Sequence, residues 1–435
     1  MHVASAALVP GSTQFVYTQG TKLKQLFAAD PGNGTSRLVL NAPREIYLFA
    51  LSPDGQRIRF EMPGELWESS LNDGRIRRFL PEQKAPLCCG AWSLDGKIYA
   101  FTREDQGVWD LWAVRETDWL GRKRVSQPIQ LTNGPISFST PVFSREGDKI
   151  FALGIVQRGE LSVYDNAPGR FSPYLGGISA GYVDFSRDGQ WVAYVAYPQS
   201  TLWVSRVDGS ERLQLTFPPI GPVLNPKWSP DGSLIAFTEF GMTEKKVYVV
   251  PAKGGNPLLL LAGTFNPSDP TWSPDGKSIA YSGVSLYVGT GTEVRILNLE
   301  TRQSTTVAGS QHMYSARWSP DGRYLTAAAD DGTKLFLYEF ATRRWKELPS
   351  SDGLSGQSWS HDSRYLYATE GAKIYRYAVP DGRRELAADP AGVALTSPIF
   401  HGLGLWAFSL TPDDRVLVLR DRGTDELYEL DLDYR

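Results

Sequence analysis

The sequence predicts an all-β fold, a β-propeller built from about ten four-stranded blade repeats. The first observation is a turn motif, Trp-Ser-Pro-Asp-Gly, that recurs along the chain. The second is the spacing between successive copies, about 43 residues, which is typical of propeller blades. The third is composition: 42 glycines, 29 prolines and 12% aromatic residues favour a turn-rich, aromatic-packed β protein.

The turn motif is intact at 228–232, 272–276 and 318–322, and related strings mark the other repeats. Ser, Pro, Asp and Gly suit a type I turn followed by a left-handed glycine, which joins two antiparallel strands. We call the residue before the serine, or before its equivalent, the anchor. The ten anchors are Leu8, Leu51, Trp92, Phe143, Phe185, Trp228, Trp272, Trp318, Trp359 and Leu410.

Each turn is followed by strand-like segments. Apolar residues alternate in LWVSRV from Leu202 and in VYVVPA from Val247. RLQLT at 212–216 ends the unit that contains LWVSRV. Four short strands per unit match one propeller blade. The strand after the turn carries an aliphatic or aromatic residue at a recurring position, in order Phe15, Ile58, Ile98, Ile150, Val192, Ile235, Ile279, Leu325, Leu366 and Leu417.

Aromatic residues concentrate at the anchors. Five of the 13 tryptophans occupy this one position. Such a distribution predicts packing between neighbouring blades, and truncation of one anchor to Ala is expected to cost about 3–5 kcal/mol.

Ten units exceed the usual four to eight blades. The array over 1–435 therefore forms one large ring or two rings, with a possible boundary near 116–140, where ETDWLGRKRVSQP is inserted at 116–128. The last unit has no recognisable fourth strand. Either its blade has three strands, or the closing strand lies in an upstream segment that is not included in this sequence, which we favour.

Charge and hydropathy exclude several classes of protein. A formal net charge of −3 gives no overall positive field for phosphate backbones, so we expect no direct nucleic-acid binding. We identify no signal peptide and no apolar run long enough to span a bilayer, which predicts a cytoplasmic protein. Cys88 and Cys89 are adjacent and allow no disulfide framework. We expect two half-buried thiols, with a vicinal disulfide as the alternative.

Candidate chemical groups are few. Ser179 lies in a Gly-x-Ser-x-Gly string, but such a nucleophile needs an α/β sheet that the sequence does not predict. The basic run at 122–124 is expected to be a solvated loop, with a docking patch as the alternative. No histidine is near another in sequence, and we expect His361 to lie outside any channel. We therefore predict no catalytic, cofactor-binding or metal-binding residue and no cofactor; the histidines are His2, His312, His361 and His401.

The repeats resemble those of the TolB family of bacterial propellers, also found in tricorn protease. ISAGYVDFSRDGQWVAYVAYP at 178–198 and LRDRGTDELYELDLD at 419–433 further resemble the C-terminal propeller region of bacterial CadC-like regulators. In that family this region follows a winged-helix domain and a membrane helix. The resemblance implies a periplasmic location if the chain is the sensor part of such a regulator.

These observations predict a monomeric, non-enzymatic binding or sensing module in bacterial signalling or transcriptional regulation. A protein, peptide or small ligand would bind at a propeller face. Two alternatives are a propeller enzyme, a lyase or peptidase-associated protein with its site at the central channel, and a TolB-like partner in an envelope complex.

Overall fold

The computed structural model describes residues 3–19, 24–105, 107–119, 122–241, 244–263, 265–283, 292–350, 354, 356–398 and 407–432. The chain divides into two compact units. Unit 1 comprises Met1–Gln157 and Gly423–Arg435, and unit 2 comprises Arg158–Arg422. The described residues form strands and turns, with one short 3₁₀ segment at Leu175–Gly177 and no α-helix.

Fifteen described strands precede the first crossing between the units. They are β1 (Val3–Leu8), β2 (Phe15–Gln19), β3 (Gln25–Asp30), β4 (Thr35–Asn41), β5 (Phe49–Leu51), β6 (Arg57–Met62), β7 (Glu65–Ser70), β8 (Ile76–Arg78), β9 (Leu87–Trp92), β10 (Ile98–Asp105), β11 (Val108–Trp119), β12 (Arg122–Val125), β13 (Ile129–Gln130), β14 (Ser137–Phe143) and β15 (Lys149–Val156).

Unit 2 contains the next 24 described strands in chain order. They are β16 (Gly159–Tyr164), β17 (Phe171–Pro173), β18 (Ala180–Phe185), β19 (Trp191–Ala196), β20 (Leu202–Arg206), β21 (Leu213–Gln214), β22 (Val223–Trp228), β23 (Leu234–Phe240), β24 (Lys245–Pro251), β25 (Leu258–Leu261), β26 (Pro267–Trp272), β27 (Ser278–Gly283), β28 (Val294–Asn298), β29 (Ser304–Thr306), β30 (Met313–Trp318), β31 (Tyr324–Ala329), β32 (Leu335–Glu339), β33 (Arg344–Leu348), β34 (Gln357–Trp359), β35 (Tyr365–Glu370), β36 (Lys373–Ala378), β37 (Arg384–Ala388), β38 (Phe408–Leu410) and β39 (Val416–Asp421). The chain then returns to unit 1 as β40 (Thr424–Asp431).

Antiparallel sheets of mostly four strands confirm the predicted blade architecture. Unit 1 has the sheets β1–β4, β5–β8 and β9–β13, and a fourth of order β14-β15-β40. The segment inserted at 116–128 extends the sheet β9–β13, because β11 continues into the segment and pairs there with β12. The chain first crosses between the units after residue 157, C-terminal to the interval at 116–140.

Unit 2 is a closed ring of six sheets. Its innermost strands contact one another in the cyclic order β18, β22, β26, β30, β34 and β38, and β38 contacts β18 again. The closing sheet has the order β17-β16-β39-β38, so both ends of unit 2 contribute two strands to it. Radial repetition of this kind leaves only short, protected sheet edges.

Both expectations for the last repeat were wrong. Its turn strands β38 and β39 are completed by β16 and β17, which lie within the chain and belong to the fourth repeat. The next strand in the chain, β40, does not join this sheet and pairs with β15 instead. Alternation of apolar residues identifies a strand but does not determine which strand pairs with it. In this chain, the fourth and the last repeat exchange their outer strands.

The repeated turn has the predicted conformation. In 228–232, the Gly232 amide donates to the Ser229 carbonyl oxygen at 2.9 Å, and Gly232 has φ of +70°. Ser229 Oγ donates to Asp231 Oδ1 at 2.6 Å and accepts from the Leu234 amide at 2.9 Å. The serine and aspartate therefore satisfy polar groups of the turn itself.

Neighbouring turns of unit 2 also touch one another. A Cβ placed on Gly322 would lie 3.3 Å from Cγ of Pro274, which belongs to the preceding turn. Where glycine is replaced, the new side chain bonds to the preceding turn: Ser363 Oγ accepts from the Asp321 amide at 3.0 Å, and Asp414 Oδ1 accepts from the His361 amide at 3.0 Å. Both replacements keep positive φ, at +60° and +62°.

The anchor tryptophans connect neighbouring sheets, as predicted. Trp228 Nε1 donates to the Asp184 carbonyl oxygen at 3.1 Å, Trp272 Nε1 to that of Lys227 at 3.0 Å, and Trp359 Nε1 to that of Arg317 at 3.1 Å. Each acceptor lies on the innermost strand of the preceding sheet, directly before the anchor of that sheet. The indole ring therefore packs and hydrogen-bonds across the sheet boundary.

The recurring apolar position after the turn is buried in most repeats. Seven residues there have no exposed surface: Ile58, Ile150, Val192, Ile235, Ile279, Leu325 and Leu366. Leu417 is also buried. In the first and third repeats, the fully buried residue is one position later, Val16 instead of Phe15 and Tyr99 instead of Ile98.

Candidate ligand site in the channel of unit 2

The six innermost strands of unit 2 surround a cavity of about 1180 Å³. Four of them are irregular at the same place, three residues before the anchor, where the register with the next strand shifts. The residues there have φ between +48° and +56°, which costs free energy for side chains other than glycine. All four line the cavity: Tyr182, Asn225, Asp269 and Ser315.

Four polar residues form an inner cluster on the cavity wall: Asn225, Lys245, Asp269 and Arg317. The Asn225 amide donates to Asp269 Oδ1, and Arg317 Nη2 lies 3.7 Å from the same oxygen. Asp269 and Arg317 are each only 9% exposed. Charged groups with so little contact with water require partners, and the cluster supplies them.

Lys245 begins β24 and reaches the same cavity. Its side chain is buried, and Nζ lies 5.0 Å from the centroid of the Phe240 ring. Burial lowers the pKa of Lys245 to about 8, and the nearby Asp269 carboxylate opposes this shift. The amine is therefore closer to neutrality at physiological pH than an ordinary lysine.

Gln357 lines the cavity and, within the described part of the chain, has one unpartnered side-chain atom. Its Nε2 donates to the Ser315 carbonyl oxygen at 3.2 Å, whereas its buried Oε1 has no hydrogen-bond partner among the described residues. A buried amide oxygen without a donor costs about 1–3 kcal/mol.

One further ion pair lines the wall. Lys227 Nζ lies 2.8 Å from Asp184 Oδ1, and the other carboxylate oxygen accepts from the Trp228 amide at 2.8 Å. This pair is neutral overall and is held between two sheets. Its first role is to join the sheets.

The repeated turns line the cavity as well. Pro230, Pro320 and His361 are among its lining residues, so the expectation that His361 lies outside the channel was wrong. The innermost strand ends at the anchor, and the turn that follows it therefore lies beside the cavity. His361 Nδ1 is 2.8 Å from Asp414 Oδ1, an exposed contact between adjacent turns.

The other candidates from the sequence do not meet at this site. Ser179 Oγ donates to the Tyr197 carbonyl oxygen and accepts from the Gly159 amide, which are structural contacts. His312 is exposed and pairs with Asp330, while His2 and His401 lie outside the described residues. Residues 122–125 form β12, the outer strand of a hairpin.

The inner cluster was not predicted. Its members Asn225 and Asp269 occupy the same repeat position, three residues before the anchor, but that position differs in residue type from repeat to repeat. The useful signal was therefore positional. Residues at a fixed distance from the anchor face the channel, whatever their type.

Comparison with known proteins agrees with a propeller fold. A WD40 family model, described as WD domain, G-beta repeat, matches residues 302–333. This match spans one repeat. No curated protein matches the sequence significantly.

Several solved structures are similar to the chain. TolB from Acinetobacter baumannii has 18% identity and a TM-score of 0.41, and the alignment covers 62% of this chain and 65% of that one. A protein described as TolB from Agrobacterium tumefaciens has 18% identity and a TM-score of 0.28 over 66% of this chain and 91% of its own. The tricorn protease has 11% identity and a TM-score of 0.34 over 87% of this chain and 49% of its own.

In the described part of the chain, no helix has the length and apolar character needed to cross a membrane.

Proposed function

We propose that the protein is a non-enzymatic binding module whose ligand site is the channel of unit 2. The observation that carries this proposal is the inner cluster, in which charged side chains with little contact with water face a cavity of about 1180 Å³. A concave site with a few convergent polar groups is the usual form of a ligand pocket. A role in bacterial signalling or transcriptional regulation is part of the same proposal and is supported by the sequence resemblance alone.

The charges of the inner cluster favour a polar ligand with an anionic group. Lys245 and Arg317 contribute two cationic side chains when Lys245 is protonated, against the single carboxylate of Asp269. A zwitterionic or anionic small molecule, or a peptide carboxylate with its amide groups, fits this pattern.

A thermal-shift screen of amino acids, short peptides and small organic acids tests the proposal. We expect at least one of them to raise the melting temperature of the wild-type protein, because a ligand that binds only the folded state stabilises it. Arg317→Gln should weaken that binding at least tenfold. The matched control Arg376→Gln removes an arginine that pairs with Glu385, neither of which lines the cavity, and should leave binding unchanged.

Two negative results together would contradict the proposal. No compound would stabilise the wild-type protein, and a pull-down would find no protein partner that the wild type binds and Arg317→Gln does not.

One observation favours an enzyme as the second candidate. A buried lysine with its pKa lowered to about 8 is suited to act as a nucleophile or base. A turnover that Lys245→Met abolishes without changing the melting temperature would establish this alternative.

A further inference from the structure

Unit 1 brings together two sulfur atoms and a carboxylate that belong to neighbouring sheets. Cys88 and Cys89 on β9 are joined by a vicinal disulfide, and Cys88 Sγ lies 3.0 Å from Glu61 Oε2 on β6. The three ligand atoms all lie within 4.8 Å of one another. Among the described residues, this is the one group of three cysteine, histidine or acidic side chains with such spacing.

The backbone around these residues is fixed by hydrogen bonds. The Glu61 amide donates to the Leu48 carbonyl oxygen at 2.8 Å, and its carbonyl oxygen accepts from the Tyr47 amide at 3.1 Å. Thr102 Oγ1 donates to the Cys88 carbonyl oxygen at 3.2 Å. The side chains are thus presented by paired strands, which is a firmer support than a loop.

The site is reachable from solvent. All three side chains are half-buried, and Cys89 also lines a cavity of about 170 Å³. An ion can therefore reach the sulfur atoms, and there is room for a water molecule beside them.

We propose that reduction of the Cys88–Cys89 disulfide creates a binding site for one thiophilic d¹⁰ cation, Zn²⁺ or Cd²⁺, with Glu61 as the third ligand. Thiolate sulfur is the ligand that such cations prefer, and a carboxylate oxygen is a common additional ligand. A water molecule would occupy the fourth position. The oxidised protein has no thiolate to offer, so cation binding depends on the redox state.

The chemistry balances with a phosphine as reductant. The phosphorus atom gives two electrons to the disulfide, the sulfur–sulfur bond breaks, and water converts the phosphorus to the phosphine oxide. The two protons of that water end on Cys88 and Cys89 as thiols. Binding of the cation then releases up to two protons as the thiols become thiolates.

Cadmium titration of the full-length protein tests the proposal. The protein is reduced with a water-soluble phosphine, freed of reductant without oxygen, and titrated with Cd²⁺ while the thiolate-to-cadmium charge-transfer absorption is followed. We expect one equivalent to bind to the reduced wild-type protein and none to produce this absorption in the oxidised protein. The melting temperature of the reduced protein should also rise with Cd²⁺.

Three variants locate the site. Cys88→Ser and Cys89→Ser should each abolish stoichiometric binding, and Glu61→Gln should keep the absorption while weakening affinity about 10–100-fold, as ligand-sphere changes commonly do. Glu104→Gln is the matched control, because this partly buried carboxylate on β10 lies outside the cluster. It should bind Cd²⁺ like the wild type.

The proposal is overturned if the reduced wild-type protein takes up no cadmium, if the oxidised protein gives the same absorption, or if a serine variant retains it. Equal affinities of Glu61→Gln and Glu104→Gln would remove Glu61 from the site. The comparison of reduced and oxidised wild-type protein needs no substitution, so it decides for or against the site even where a variant fails to fold.

Discussion

The tryptophan at the anchor and the turn that follows it serve two separate structural purposes. The indole ring joins one sheet to another, as Trp228 does by donating to the Asp184 carbonyl oxygen. The turn satisfies its own polar groups and also packs against the preceding turn of the ring. The string at 272–276 makes both contacts, through Trp272 to the preceding sheet and beside Gly276 to Pro230 of the preceding turn.

Substitution of Trp228 by Ala tests the first purpose. We expect unit 2 to lose about 3–5 kcal/mol of unfolding free energy, because a large buried side chain leaves a cavity. Trp228→Phe keeps most of the apolar contact and loses the hydrogen bond, so it should cost less. Denaturant unfolding measures both, and a loss below about 1 kcal/mol in Trp228→Ala would rule out an inter-sheet role.

Ser363 tests the contact between turns. Ser363→Ala keeps the unfavourable positive φ and leaves the Asp321 amide without its acceptor, so we expect a loss of about 1–3 kcal/mol. Ser363→Gly also loses this acceptor but relieves about 1–2 kcal/mol of backbone strain. The glycine variant should therefore unfold at a higher denaturant concentration than the alanine variant, and the reverse order would contradict this account.

At the level of strands, the sequence predicts the repeats well and their partners poorly. Turn chemistry and alternating apolar residues identify most strands, including those of the last repeat. They do not reveal that β40 joins β15 and that β39 joins β16, because either pairing buries the same faces.

The candidate site shows the same limit. Sequence reasoning identified the anchors, whose residue type repeats, but Asn225 and Asp269 lie where each repeat differs. Lys245 lies on the third strand of its sheet and reaches the cavity only through the three-dimensional arrangement. Residues from different repeats come together in this way only when the sheets close into a ring.

Deletion of residues 424–435 tests the pairing of β40. The strand pairs with β15 along its whole length, and Tyr428 packs edge-on against Phe138 at 5.4 Å. Without β40, amides of β15 that donate to it should exchange hydrogen at least tenfold faster, while strands of unit 2 keep their protection. Unchanged exchange in β15 would contradict the pairing.

At the scale of the whole molecule, the chain forms unit 2 as a closed ring from one segment and unit 1 from two separate segments. The described strands of the ring all lie in one continuous segment, 158–422. Its closing sheet pairs β16, near the start of this segment, with β39, near its end. Unit 1 is different, because β15 and β40 lie far apart in the sequence. Lys149 and Glu429, which form an ion pair between these strands, are 280 positions apart.

We therefore expect residues 158–422 to fold independently. This segment should unfold in a single cooperative transition, because its sheets contact one another around a closed ring. The segment 158–406 is the control, since it lacks β38 and β39. Its closing sheet then keeps only β16 and β17, and the ring cannot close. Circular dichroism during heating distinguishes the two, and cooperative unfolding of the shorter segment would show that closure is not required.

The pairing of Gly159 with Asp421 in the ring has a consequence for biosynthesis. Once unit 2 has folded, it holds the two points where the chain enters and leaves it side by side, so Val156 and Thr424 can meet without the entropy loss of closing a long flexible loop. During translation, the sheet of β14 and β15 cannot be completed until β40 has left the ribosome. Until then β15 exposes an unpaired edge, and this interval is when the nascent protein is most vulnerable to aggregation.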